Sequence, residues 1–267
     1  MIKLIATDID GTILNSDMTF TQKLRNCILN LTQSGVKVIL ATGRMHSAAV
    51  PIARALALST PIISYQGGLI KDCNNRTLYQ KDLAPDYAKK IIQWARKNKI
   101  HINLYLNDKL YVEEDNDIVK SYTEGRFINY SVCSFDDLKI ENVNKILAID
   151  IHDPDKVTGW TEELRIRYPE LYFVKSTPYF CEIANSEAKK SLGVKFLCDM
   201  WGIKPEETLT IGDQDNDIDL IQAGGIGVAM GNGTPALIEC ADFVTDTVDN
   251  DGFVKAVEKY VIHYQEL

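Results

Sequence analysis

The first twelve residues constrain this chain more than any other stretch. Residues 2–7, Ile-Lys-Leu-Ile-Ala-Thr, form a short apolar run of the kind found in a parallel strand buried on both faces. The run passes directly into Asp8-Ile9-Asp10-Gly11-Thr12. A strand covered on both sides requires helices above and below its sheet, so the chain must alternate strand and helix through short turns. Carboxylates at i and i+2 on extended backbone point to the same side. Two such charges repel unless a cation lies between them or one takes a proton.

The expected alternation is present. Thr19 and Gln22 have capping-box spacing, and Leu24, Ile28 and Leu31 share one face of the helix that follows, with Gly35 at its end. A second buried strand over 36–40 ends in Ala41-Thr42-Gly43-Arg44. A helix over 45–58 and a strand over 61–65 follow, with Gly67-Gly68 as a turn. From Pro85 the rhythm changes. The pattern predicts a helix over 85–99, a hairpin of 102–106 and 110–114 around Asn107-Asp108, and a helix over 117–126. A strand over 146–151, a helix over 156–168 and two strands over 171–175 and 179–184 complete this antiparallel α+β stretch. After Asn185 the parallel rhythm returns. It comprises a helix over 188–201 ended by Gly202, a strand over 208–211 reaching Gly212-Asp213, a helix from Asp217, a strand over 226–229, a helix from Pro235, a strand over 243–245 and a closing helix from Val254. The expected organisation is one α/β domain in two segments, 1–82 and 185–267, with a second domain over 83–184 inserted between them.

Bulk properties exclude several classes. The 267 residues carry 37 acidic and 29 basic side chains, a formal net charge of -8, with 45% hydrophobic and 25% charged residues. That composition is globular, and the acidic balance excludes sequence-independent nucleic-acid binding. No apolar stretch approaches the ~20 residues of a membrane span, and no signal segment precedes the first strand. Cys27, Cys73, Cys133, Cys181, Cys198 and Cys240 form no Cys-x-x-Cys pair, so they read as free, mostly buried thiols in a reducing cytoplasm. His46, His101, His152 and His263 show no metal spacing; Trp94, Trp160 and Trp201 read as core, and Glu113-Glu114-Asp115 as a solvated loop.

Three strand ends therefore carry the candidate chemistry: Asp8 with Asp10, Thr42, and Asp213 with Asn216 and Asp217. Open parallel sheets bind ligands at the carboxyl ends of their strands. Mg²⁺ takes hard oxygen ligands, commonly one or two carboxylates together with a substrate phosphate, and Asp213 could complete the protein's share. A carboxylate attacking phosphorus forms an aspartyl-phosphate, and a second carboxylate can protonate the leaving oxygen and then activate water. Gly11 would let backbone approach the phosphate. Thr42 and nearby N–H groups could hold phosphate at the start of the following helix; a plain N-cap is the other reading of Thr42, and a helix-start carboxylate that of Asp217.

These residues resemble the haloacid dehalogenase superfamily, specifically its Cof-type phosphatases with a large inserted α+β cap. Asp8 to Thr12 match the first motif, Ala41 to Arg44 the second, and Gly212-Asp213-Gln214-Asp215-Asn216-Asp217 the fourth. The third motif is a lysine eight residues after the glutamate of a Glu-Ile pair; from Glu182-Ile183 that count reaches Lys190, with Lys189 the alternative. The resemblance implies a doubly wound parallel core with an inserted cap. It also implies Asp8 as nucleophile and metal ligand, and Asp10 as acid/base lending its carbonyl to the metal. Asp213 would be a ligand, and Asp217 a ligand or its outer support. Thr42, Gly43, Arg44, Lys190 and Asn216 would hold phosphate and substrate. The cofactor would be Mg²⁺, the partner a small phosphorylated metabolite, and the assembly a monomer or homodimer. Gln66-Gly67-Gly68 departs from the family's Asn-Gly-Ala, at a position that could touch cap or substrate. Two other activities fit the residues: a phosphomutase or phosphotransferase on the same scaffold, and a non-enzymatic phosphoacceptor like a response-regulator receiver.

Overall fold

The computed structural model describes residues 1–126 and 128–262, and His263 lies outside them. The chain begins with β1 (Leu4–Thr7), α1 (Gln22–Gln33), β2 (Lys37–Leu40), α2 (His46–Ala55), β3 (Ile62–Ser64), β4 (Leu69–Lys71) and β5 (Thr77–Gln80). It continues with α3 (Pro85–Asn98), β6 (His101–Leu106), β7 (Lys109–Val112), α4 (Asp117–Thr123), β8 (Tyr130–Val132), β9 (Val143–Ile149), α5 (Pro154–Arg167), β10 (Leu171–Thr177) and β11 (Phe180–Asn185). It closes with α6 (Lys190–Trp201), β12 (Thr208–Gly212), α7 (Ile218–Ala223), β13 (Ile226–Ala229), α8 (Pro235–Cys240), β14 (Phe243–Val244) and α9 (Gly252–Val257).

The first and last groups share a five-stranded parallel sheet in the order β14-β13-β12-β1-β2. Every residue of β1 is buried. The strand lies between β12 and β2, with Ile5, Ile28, Leu31 and Val257 in the core on one face and Leu4, Ile39, Val194 and Leu197 on the other. Fully burying one such aliphatic side chain contributes about 1.5–3 kcal/mol, which anchors the strand ends that carry the polar residues. A bridge from Ala41 to Ile63 brings β3 alongside β2.

The middle group builds a separate six-stranded sheet, β10-β11-β9-β6-β7-β8, around its own core of Ile91, Trp94, Leu104, Ile146 and Ile183. Its pairs are antiparallel except β7 with β8, which run parallel. The expectation of wholly antiparallel pairing is corrected there.

Several local expectations change. The N-cap of α1 is Thr21, which accepts from Leu24 N–H, while Thr19 binds back to Asn15. The turn expected after Gly67 leads into a hairpin, β4–β5, that the pattern missed. Lys71, Asp72 and Asn74 within it mask the alternation. Helix α6 begins at Lys190, two residues later than expected, because residues 186–187 turn first and Lys189 keeps extended backbone as the N-cap. Three cysteines are buried, two exposed and one intermediate, and all are free. Of the tryptophans, Trp94 is buried, while Trp160 and Trp201 pack at the core margins. Glu113 is not a solvated loop residue: Arg96 grips both of its oxygens, at 3.0 and 2.6 Å, and Phe135 N–H donates to one.

Candidate active site

The order β12-β1-β2 places three strand ends side by side. Asp8 directly follows β1 and is level with Gly212 and Ala41, so Asp213 after β12 and Thr42 beyond β2 each lie one residue further along. Asp8 N–H donates to the Ile211 carbonyl and Ala41 N–H to the Thr7 carbonyl, so the backbone ladder itself sets these ends. Thr42 N–H continues the pattern to the Ile63 carbonyl at 2.9 Å.

Lys190 lies at the centre, 1% exposed. Its Nζ donates to Asp8 Oδ1 at 2.7 Å and to Asp217 Oδ1 at 2.5 Å. Lys190 thus points into the carboxylate cluster, whereas the Lys189 ammonium lies 6.0 Å from the Tyr172 ring centroid. Burial alone would lower the Lys190 ammonium, but Asp217 and Asp8 outweigh it and hold the proton firmly. The second oxygen of Asp8 has no protein partner among the described residues, and Asp8 borders a cavity of about 140 Å³. Burial pushes Asp8 well above the usual carboxylate range, assisted by Asp217 and Asp213 and opposed by Lys190.

Asp213 is 2% exposed. It accepts from Thr12 Oγ1 at 2.9 Å and from Gln214 Nε2 at 2.8 Å. Burial first, then the charge of Asp217, push its carboxyl up to about 7. Asp217 spends both oxygens inside the protein: Oδ1 on Lys190, and Oδ2 accepting from the N–H groups of Asp213 and Gln214. Its geometry is that of a group supporting Lys190 and the turn after β12.

Asp8, Asp213 and Asp217 bring carboxylate oxygens within 4.8 Å of one another. Three buried carboxylates beside one buried lysine leave an excess of negative charge, with oxygen donors alone. That donor set suits a hard divalent cation such as Mg²⁺ and disfavours a softer metal.

Asp10 lies at the mouth, its side chain 51% exposed, in a two-pronged pair with Arg44 at 2.7 and 2.6 Å. Burial would raise its carboxyl, but the hydrogen bonds and charge of Arg44 outweigh that and hold it below the usual range. Gly11 lies between them and Asp213, with φ +74°, and an added Cβ would sit 2.3 Å from Asp213 Oδ2. Gly11→Ala is thus expected to cost about 1–3 kcal/mol from the left-handed backbone alone. It should also displace Asp213, measured as a lower unfolding midpoint and weaker divalent-cation binding.

One expectation fails. The N-terminus of α2 does not face the site as a phosphate cradle. Asp108, from the turn between β6 and β7, accepts from His46 and Ser47 N–H at 2.9 and 3.0 Å and from the Tyr65 hydroxyl at 2.7 Å. Thr42 Oγ1 accepts instead from Arg44 N–H at 3.1 Å, as a local turn. Gly43 contributes its carbonyl to Lys145 at 2.8 Å, and Asn216 reaches Gln66 at 3.1 Å. Lys145, Gln66, Tyr122, Arg126 and Phe180 also border the cavity. Of these, only Gln66 stood out in the sequence. A lysine between Asn144 and Ile146 in an apolar strand was the available signal for Lys145, since a buried lysine needs a partner.

The chain matches known proteins over nearly all of its length. A family model described as haloacid dehalogenase-like hydrolase covers residues 5–257. The chain is 31% identical over 261 residues to the 5-amino-6-(5-phospho-D-ribitylamino)uracil phosphatase YcsE of Bacillus subtilis, with 98% of this chain and 96% of that protein covered. It is 28% identical over 280 residues to phosphatase YwpJ of the same organism, covering 94% and 97%. Among solved structures, a haloacid dehalogenase-like hydrolase from Bacteroides thetaiotaomicron superposes with TM-score 0.86 at 29% identity, over 97% and 99% of the two chains. A subclass IIB sugar phosphatase of that superfamily superposes with TM-score 0.84 at 22% identity, over 97% and 98%, a likeness of fold.

Proposed function

We propose that this chain, which belongs to the haloacid dehalogenase-like hydrolases, is a Mg²⁺-dependent phosphomonoesterase that carries the phosphoryl group on Asp8. The observation that carries this reading is the state of Asp8. It is a buried carboxylate at a strand end bordering the cavity, with one oxygen pinned by Lys190 and the other without a protein partner among the described residues.

Asp8 Oδ2 is the attacking atom. A bond forms from it to phosphorus while the bond from phosphorus to the leaving oxygen breaks. Asp10 gives that oxygen a proton, then takes one from the water that attacks phosphorus and frees Asp8. The pair with Arg44 keeps Asp10 ionised, which suits the second half. For the first half, the substrate's negative charge would draw Arg44 away and let Asp10 take up a proton. Lys190, held by two carboxylates, offsets charge at the phosphate, with Thr42 and Asn216 nearby. Asp8, Asp213 and the Asp10 carbonyl would hold Mg²⁺, with Asp217 behind them. The ion would screen the attacking carboxylate and stabilise charge on the transferring phosphoryl group.

Residues 83–184 would form the cap over a core of 1–82 and 185–267. In support, the two crossings meet: Asn185 Nδ2 donates to the Asp82 carbonyl at 3.0 Å, and Leu83 bridges to Val143. The polar and charged lining of the cleft, including Asp8, Thr42, Arg44, Arg126 and Lys145, favours a small phosphorylated metabolite. No helix among the described residues is long and apolar enough to cross a membrane. Six free thiols suit a cytoplasmic setting.

The test is phosphate release from p-nitrophenyl phosphate and a panel of sugar phosphates, ribitylaminouracil phosphate and phosphorylated cofactors, with Mg²⁺ or with EDTA. Metal-dependent turnover of a panel member is expected; phosphate release from none would contradict the proposal.

The metal reading also predicts a pH dependence. Asp213 is raised in the folded state to about 7, so the folded protein binds more protons than the unfolded chain between about pH 4 and 7. Its contribution to stability therefore declines as pH rises through that window, and cation binding, which needs the ionised form, strengthens. The gain in melting temperature from Mg²⁺ should be larger at pH 8 than at pH 6. The buried His46 and the half-buried His101, both lowered chiefly by desolvation, act alike with and without the ion and cancel in that difference. An equal gain at both pH values would contradict the prediction.

A further inference from the structure

A buried ion pair from the six-stranded sheet reaches two of the phosphate-facing groups at once. Lys145 on β9 and Glu182 on β11 are 3% and 4% exposed and pair at 2.7 Å. Each extends one contact into the parallel-sheet half of the molecule. Lys145 Nζ also donates to the Gly43 carbonyl, while Glu182 Oε1 accepts from Gln66 Nε2 at 3.0 Å.

Consider the lysine end first. The Gly43 carbonyl and the Arg44 N–H belong to one planar peptide unit. Lys145 holds its oxygen, and its N–H donates to Thr42 Oγ1. A hydroxyl that already accepts must use its hydrogen elsewhere. Among the described residues no acceptor takes it, so the Thr42 hydroxyl is left to donate to a ligand.

The glutamate end works the same way through amides. A carboxylate paired with lysine only accepts, so Gln66 must turn its NH₂ toward Glu182. The Gln66 oxygen then faces Asn216, which must present its own NH₂ at 3.1 Å. Among the described residues Asn216 Oδ1 is buried without a partner, and Nδ2 donates only to Gln66, which leaves its second hydrogen for a ligand. Gln66 is placed for this by left-handed backbone, φ +59°, and the lack of a side chain at Gly43 makes room: a Cβ there would lie 2.4 Å from Gln66 Nε2.

We propose that the Lys145–Glu182 pair is a positioning device. It sets the hydrogen-bond direction of Thr42 through one peptide and of Asn216 through one amide, so that both donate toward the phosphate. The inference rests on the reading of this cavity as a phosphate site. It makes the six-stranded sheet part of the phosphate cradle as well as its cover.

The test compares wild type with Glu182→Gln, with Glu182→Asp, with the uncharged double variant Lys145→Met/Glu182→Gln, and with Gln66→Met. Each is checked for folding by circular dichroism. Affinity for inorganic phosphate in the presence of Mg²⁺ is measured by calorimetry, and kcat and KM with p-nitrophenyl phosphate. The double variant and Gln66→Met leave no unpaired buried charge, so they report even where Glu182→Gln alone does not fold. Phosphate affinity is expected to fall at least about tenfold, and kcat further than KM changes, with Glu182→Asp recovering part of the loss over Glu182→Gln. Folded variants with wild-type phosphate affinity and kcat would overturn the inference. Wild-type protein that binds phosphate without turnover would sink the hydrolase reading and leave the positioning claim to be judged on affinity alone. Wild-type protein that binds no phosphate would overturn both.

Discussion

Asp8→Asn is expected to lower kcat for p-nitrophenyl phosphate roughly 10⁴-fold or more, the scale seen when a covalent nucleophile is removed. The fold should persist. Asn matches Asp in shape and can still accept from Lys190 Nζ through its amide oxygen. The change also removes one of three buried carboxylates whose mutual repulsion and burial raise Asp8 in the folded state. Metal-free Asp8→Asn protein should therefore melt within a few degrees of wild type, and above it where the carboxylates are ionised. The comparison needs only circular dichroism melts and steady-state kinetics on the same samples. An active Asp8→Asn enzyme would require a different nucleophile, and the nearest carboxylates offer none as good. Asp217 has both oxygens engaged, Asp213 is held by Thr12 and Gln214, and Asp10 is paired with Arg44.

Lys190→Met should have the largest effect on stability. The side chain is among the largest fully buried ones, and its ammonium is the one cation within hydrogen-bond reach of Asp8 and Asp217 among the described residues. Removing one member of a buried charge network leaves the others uncompensated, a loss of about 3–5 kcal/mol. The sign with pH follows from the same groups. Asp8 and Asp213 are raised in the folded protein and can take protons in place of the lost cation at low pH. The deficit should then grow as pH rises through about 7, and Mg²⁺ should recover part of it. Turnover should fall roughly 10²–10³-fold, the scale for losing one charge-stabilising donor. Urea melts in EDTA at pH 6 and pH 8 measure the first effect. Equal stability of Lys190→Met and wild type at pH 8 would mean that Lys190 does not neutralise the carboxylates.

How far the sequence could be read depended on where each residue's partners lie. The strand ends were legible because their signals are local. An apolar run ending in Asp8-Ile9-Asp10-Gly11-Thr12 needs no distant contact to be recognised, and the same holds for Gly212-Asp213. Lys190 was reachable by counting from Glu182, although its two carboxylate partners lie 182 and 27 residues away. What stayed hidden is chemistry assembled across elements. Asp108 reads as an ordinary hairpin turn residue, since nothing nearby in sequence shows that it caps α2. Lys145 and Glu182 are 37 residues apart and meet Gly43 and Gln66 only through sheet packing. The short hairpin β4–β5 escaped because its polar turn residues break the period-2 pattern that identifies a half-buried strand.

The most direct measurement of the central claim is the position of the phosphoryl group during turnover. Enzyme mixed with a turned-over phosphomonoester and Mg²⁺ can be quenched in acid within milliseconds, digested and mapped by mass spectrometry. The account predicts a phosphorylated peptide spanning Asp8, with the modification on Asp8 and not Asp10, and no such species in Asp8→Asn. Full turnover with unmodified Asp8 at every quench time, or the phosphoryl group on another residue, would contradict it.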